Sequence, residues 1–259
     1  MRQAPLHTRC FAHSSPGELL ALMVEETNSY YDQTVAALGG LDNLPPASRL
    51  RDWMPVDLPC MKAFLAMLIL MGVDQRNSYE LYTTEYIALA NFKKIMAKNR
   101  FMIILRCLHV CDNTKIDGTD KLAKIRSMLN ILVAAWQAAY YPNREICLDE
   151  SMIAFKGKTG AMVYQPKKPH KWGMQAWFLA DSRTAYCYNL DIYSGKRADN
   201  VDSGVGITHA TVMRMVQPCI DRGHHIYFDN YYTPPAVLKD LSSKGFGACG
   251  TLRVNRKEN

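Results

Sequence analysis

The chain has 259 residues, 48% hydrophobic and 21% charged, a composition that excludes a disordered protein and suffices for one large domain or two smaller ones. The formal net charge of +7 admits a polyanionic partner without requiring one, so the clustering of lysines says more than their sum. Residues 1–15 hold no apolar run fit for a signal peptide, and the most hydrophobic segment, 63–73, is too short to cross a membrane. The eight cysteines are scattered, none in a C-x-x-C pair, which reads as reduced core thiols in an intracellular protein rather than a disulfide framework. Cys107-Leu108-His109-Val110-Cys111 has no second ligand cluster beside it and does not read as a zinc site.

In chain order, Ser15-Pro16-Gly17-Glu18 opens a helix with a serine cap, an early proline and a glutamate three residues on. Leu19, Leu20, Met23, Thr27, Tyr30 and Tyr31 carry its apolar face until Gly39-Gly40. A loop with Pro45-Pro46 leads to a buried helix from Leu58-Pro59 to about Gly72. Short helices are expected over 78–82 and 85–91, and one helix over 94–110. After a polar loop at 112–117, the spacing of Leu122, Ile125, Met128, Leu129, Leu132, Val133, Trp136 and Tyr140 predicts a long amphipathic helix ended by Pro142. The first half is thus all-helical.

At Arg144 the pattern changes. Ile146-Cys147-Leu148 reads as a short strand that delivers Asp149 and Glu150 to a loop rich in lysine. Residues 171–180 and 184–193 read as two aromatic-rich strands joined by a turn at 181–183, and 207–220 as a helix that Pro218 kinks or ends. His225-Ile226-Tyr227-Phe228 is a fourth strand running into Asp229, 234–243 a helix, and 246–254 a fifth strand. After three strands in a meander and two right-handed crossovers, the fourth strand can lie beside the first. Asp149 and Asp229 would then sit at the carboxyl ends of neighbouring parallel strands, about 4.8 Å apart, where two carboxylates can share divalent cations. Lys156, Lys158, Lys167, Lys168 and Lys171 would line a path for phosphates, with His170 among them. Glu150 should face away from Asp149 and serve structure. Trp172, Trp177, Tyr186 and Tyr188 are expected in the core, and Tyr231 and Tyr232 under the following helix. His224 and His225 should point to opposite faces and cannot chelate together.

With these residues in view, the chain resembles the piggyBac family of transposases and their domesticated relatives. The resemblance rests on Asn99-Arg100-Phe101 with Ile104-Leu105-Arg106, and on Asp120-Lys121-Leu122 with Ile125-Arg126. It rests further on Asp149-Glu150 with Phe155-Lys156-Gly157-Lys158, then Pro166, Lys168-Pro169 and Lys171-Trp172-Gly173. Asp229-Asn230-Tyr231-Tyr232-Thr233 and Gly250-Thr251 with Arg253 complete the set, in order, over roughly residues 15–256. It implies an α/β fold, a helical N-terminal region followed by an RNase H-like mixed sheet. The divisions expected are a disordered leader at 1–14, a helical dimerisation or DNA-binding region at 15–142, and the first part of the catalytic core at 143–259.

By resemblance, Asp149 and Asp229 are the first two of three catalytic aspartates, holding Mg2+ or Mn2+ for cut-and-paste movement of double-stranded DNA at TTAA sites. The family's third aspartate follows an insertion after the fifth strand, and the sequence ends at Asn259 before it. The expectation is a transposase-derived nuclear protein, weak or inactive in strand transfer as it stands, with a homodimer among its forms. The alternatives are a non-catalytic DNA-binding or chromatin-associated protein and a sequence-independent nuclease.

Overall fold

The computed structural model describes residues 16–77, 79–82, 92–116, 118–195 and 206–251. The expected leader, the short helix at 85–91 and the far end of the last strand lie outside them. The chain divides into two compact units, one comprising 16–116 and 123–131, the other 118–122 and 132–251 among the described residues.

The first unit is helical. Helix α1 spans Pro16–Ala37 and α2 Leu58–Val73. Asp57 caps α2 by accepting from the Cys60 amide at 2.9 Å. The single helix expected over 94–110 is instead α3, Phe92–Ile95, and α4, Lys98–Cys107. The break falls at Ala97, whose ψ of 143° is extended, so apolar spacing alone concealed it. Met61, Phe64, Met67, Phe92, Phe101 and Ile104 are all buried in one core. Arg100 reaches back to the carbonyls of Met54 and Pro55 and lies 5.3 Å from the Trp53 ring centroid. Asn99-Arg100-Phe101 therefore joins this helix to the preceding loop on one side and fills the core on the other.

Helix α5, Ala123–Ala139, leads into the second unit, whose sheet is built from β1 (Glu145–Ala154), β2 (Val163–Tyr164), β3 (Trp172–Asp181), β4 (Cys187–Ile192), β5 (His225–Phe228) and β6 (Gly247–Gly250). The order is β2-β3-β1-β5-β6, with β4 also on β3. β2 pairs with residues 172–173 and β4 with 176–180, so the two lie end to end along one edge of β3. β1 is antiparallel to β3 and parallel to β5, and β5 is parallel to β6. Helices α6 (Ile207–Val216) and α7 (Pro235–Ser243) make the two crossovers. This is the mixed RNase H-like arrangement expected, with two differences. β1 runs six residues past the apolar triplet, and β2 lies inside what reads as a lysine loop.

The core lies on one sheet face. Ile146, Leu148, Ile226 and Phe228 turn inward against Val212, Met215, Val216, Val237 and Leu241. Each such side chain contributes about 1.5–3 kcal/mol by leaving water. Pro218 ends α6 in a short 3-10 turn rather than kinking it. The described cysteines are free thiols, and burial pushes that of Cys219 up to about 11. No described helix is long and apolar enough to cross a membrane.

Asp181 organises the β3–β4 turn from a fully buried position. Its carboxylate accepts from the backbone amides of Asn143, Arg183 and Thr184 at 2.6–3.0 Å and from the Tyr140 hydroxyl at 3.0 Å. Burial alone would raise its pKa, but these donors outweigh it and hold the group well below the ordinary carboxylate range. A carboxyl depressed in the folded state adds stability above the unfolded-state pKa of about 4, and loses it as pH falls below that value. Asp181→Ala should cost on the order of 2–4 kcal/mol in urea melts by stranding buried donors. Asp181→Asn should flatten the acid limb of stability against pH.

Candidate functional site

β1 and β5 are in register from Glu145↔His225 to Leu148↔Phe228. Asp149 is the next residue of β1, and Asp229 the first past β5. The two acids thus stand one step beyond the last paired position of adjacent parallel strands, which are about 4.8 Å apart. Alternation turns Leu148 into the core and Asp149 away from it; both aspartates are exposed. Each uses Oδ1 locally: Asp149 accepts from the Glu150 amide at 2.8 Å, and Asp229 from the Tyr231 amide at 2.9 Å. The Asp229 carbonyl accepts from the Thr233 hydroxyl at 2.6 Å, which closes the turn 229–233 on itself.

Two carboxylates at strand ends are hard oxygen donors, suited to Mg2+ or Mn2+ rather than to a thiolate-seeking metal. Among the described residues no group of three or more His, Cys, Asp or Glu is placed to hold an ion. In kind, two such carboxylates are compatible with a hard divalent cation.

Glu150 faces the other way, as alternation requires. Its Oε2 accepts from the Tyr232 hydroxyl at 2.7 Å, and Tyr232 in turn accepts from Trp177 Nε1 at 2.9 Å. Trp177 is the registered partner of Glu150 across β1 and β3. Burial, and then the Glu150 carboxylate, push the Tyr232 phenol far above its ordinary range, so it remains a donor. Lys168 Nζ sits 3.0 Å from Glu150 Oε1 and 3.3 Å from its carbonyl oxygen. One acid thus ties the turn after Asp229 and the lysine loop to the strand that carries Asp149. Sequence reasoning gives Glu150 a structural duty but misses both partners, because they lie 18 and 82 positions away.

Lys156, Lys158, Lys167, His170 and Lys171 are exposed, whereas Lys168 is paired with Glu150. The loop is held by the Gln165 amide on the Lys171 carbonyl at 2.8 Å and the Lys168 amide on the Gln165 carbonyl at 3.2 Å. Gly173 is required by geometry: a Cβ there would lie 2.3 Å from the Ile153 carbonyl oxygen. Trp177, Tyr188 and Tyr232 are buried as expected. Trp172 is not: it is 59% exposed and its ring centroid is 4.8 Å from that of Tyr164, itself 51% exposed. It opens β3 where the sheet has run past its core, a position that an aromatic-rich strand pattern does not reveal. Tyr186 is half-buried against Tyr140, and Tyr231 is exposed. His224 is buried with Nδ1 3.0 Å from the Asn143 carbonyl, while His225 meets Arg144 at 2.8 Å, so the two histidines serve separate partners.

A helical region followed by a mixed sheet of this order defines a protein with an RNase H-like core. The sequence profile described as Transposase IS4 matches residues 9–259, and the chain belongs to that family, among its piggyBac-derived members. It is 28% identical over 200 residues to human PiggyBac transposable element-derived protein 3, across 74% of this chain and 33% of that protein. It is 27% identical over 164 residues to human PiggyBac transposable element-derived protein 2, across 62% of this chain and 28% of that one. A cryo-EM structure of the piggyBac transposase synaptic complex with hairpin DNA superposes with a TM-score of 0.82 at 22% identity, over 96% of this chain and 51% of that chain. The chain thus spans about a third of these human relatives and half of the solved transposase.

Tyr232→Phe should strand the Trp177 indole N–H and release one oxygen of Glu150, costing about 1–3 kcal/mol. Hydrogen exchange should then quicken in 229–233 more than in α6, and uniform exchange across the unit would rule out the anchoring role.

Proposed function

We propose that this chain is a DNA-binding protein of transposase descent in which Asp149 and Asp229 hold a divalent cation against the DNA backbone. The observation that supports the reading is the parallel register ending at Leu148↔Phe228, since residues 149 and 229 each follow that last pair by one step. When bound, the ion would activate an attacking water or 3′-hydroxyl and stabilise the leaving oxygen. The chain's own residues supply the rest. Asp149 and Asp229 would orient the ion, the Glu150–Tyr232 bond ties the turn that follows Asp229 to the strand that carries Asp149, and Lys156, Lys158, Lys167 and Lys171 would neutralise flanking phosphates. Lys168 contributes by holding that loop in place. DNA as the partner is supported by the hairpin-DNA complex of the solved transposase, and a nuclear location by the transposable-element descent that the relatives' names state; double-stranded DNA and a homodimer complete the proposal.

An ion held by these two acids alone would be weakly bound and loosely positioned, and an error of about 1 Å in a reacting group costs on the order of a hundredfold in rate. The chain on its own should therefore bind DNA while cutting it slowly or not at all, which also describes a domesticated, non-catalytic DNA-binding protein. Mn2+ titration followed by EPR should show weak binding that Asp149→Asn and Asp229→Asn each abolish. Binding untouched by either change would overturn the metal assignment. In a hairpin and nicking assay with Mg2+ or Mn2+, robust cleavage that disappears in Asp149→Ala would overturn the expected inactivity. Lys167→Ala with Lys171→Ala should lower DNA affinity and flatten its salt dependence, by roughly one unit of slope for each phosphate no longer neutralised.

A further inference from the structure

Three exposed aromatic residues of the second unit, Phe155, Tyr164 and Trp172, lie together at one end of the sheet. Tyr164 and Trp172 are registered partners across β2 and β3, with ring centroids 4.8 Å apart. Phe155, 38% exposed, is one residue past the Ala154↔Gly173 pair and so next in the same row. Its ring lies over Gly157, where an added Cβ would be 2.5 Å from Phe155 Cζ. Strand alternation sets Trp172 on the same side of the sheet as Asp149, because their registered partners step by two from Phe178 to Trp172. Six residues separate Asp149 from Phe155, roughly 20 Å along the strand. Exposed Lys156 and Lys171 are the chain neighbours of Phe155 and Trp172, and exposed Lys158 and Lys167 belong to the same loop.

A cross-strand aromatic pair can simply clip a hairpin together. Here the hairpin already has another clamp, the Lys168–Glu150 ion pair with its backbone bonds, and the two rings leave more than half of their surface in water. Flat apolar faces open to solvent and interleaved with exposed lysines have the chemistry of a stacking platform for unpaired bases: the rings take the base, the ammonium groups the phosphates on either side. Paired bases keep their faces covered in the duplex and gain nothing from such a surface.

We infer that the Tyr164–Trp172 pair, with Phe155 beside it, stacks on an unpaired nucleobase of DNA a few nucleotides from the phosphate held at Asp149 and Asp229. The inference rests on the DNA-binding reading above and adds the form of DNA preferred, one opened next to the site. The platform is built mainly from β3 and β2, so it tests separately from the aspartates.

The test uses the full chain and two probes, a short duplex and the same duplex with a gap that leaves a fluorescent adenine analogue unpaired. Anisotropy should show tighter binding to the gapped DNA, with the analogue quenched on binding. Trp172→Leu combined with Tyr164→Leu keeps apolar bulk but removes the π faces. Its affinity for gapped DNA should fall on the order of tenfold, well beyond any change on the duplex, and the quenching should disappear. Trp172→Phe should restore part of both, which separates stacking from hairpin stability. Equal affinity of the native chain for both probes, or equal losses on both in the leucine variant, would overturn the platform and leave duplex binding standing. Failure of the native chain to bind either probe would overturn the DNA-binding reading and the platform together.

Discussion

The pairing of β1 with β5 is the constraint on which the rest of the second unit depends. Parallel strands cannot be joined by a tight turn, so the chain travels through β3, β4 and α6 before returning at His225. The return is fixed in register by Ile146, Leu148, Ile226 and Phe228, which share one core with α6 and α7. A slip of one residue would turn those side chains into water and swing Asp149 into the core. The apolar cost of slipping is therefore what keeps the two acids together, although neither contributes to the core itself.

Glu150 converts that register into a positioned loop. The Trp177–Tyr232–Glu150–Lys168 chain of polar contacts crosses four separate segments and is largely buried. Groups in such surroundings are costly to leave unpaired, so each member holds the next. The turn after Asp229 is consequently restrained at both ends, by its own backbone and side-chain bonds at Asp229 and by Tyr232. The acids are exposed, while Trp177 and Tyr232 at the inner end of the chain of contacts that restrains them are buried.

Much of this is legible in the letters. The switch from helical spacing to apolar triplets at Arg144 and the order of strands and helices follow from periodicity and turn residues. The pairing of Asp149 with Asp229 rests instead on one strand arrangement among those allowed and on the family resemblance. What stays hidden depends on partners distant in sequence. Glu145–Ala154 reads as a strand only to Leu148 because the polar run Asp149-Glu150-Ser151 interrupts the apolar pattern, and β3 supplies the pairing that extends it. β2 is two residues long and exists only against β3. The break at Ala97 carries no proline or glycine to announce it. Trp172 reads as a core residue because strand tryptophans generally go there, whereas the sheet at that point has outrun its core. Its alternation with Gly173, the one residue tight enough to meet the Ile153 carbonyl, is the available clue.

The central claim is that the carboxylates of Asp149 and Asp229 converge on one ion. Crystals of the chain soaked in Mn2+ and measured at the manganese absorption edge test it most directly. The account predicts an anomalous peak bonded to oxygens of both side chains, at the roughly 2.0–2.3 Å expected of hard divalent cations. A peak on one aspartate alone, or two carboxylates too far apart to touch a shared ion, would contradict it.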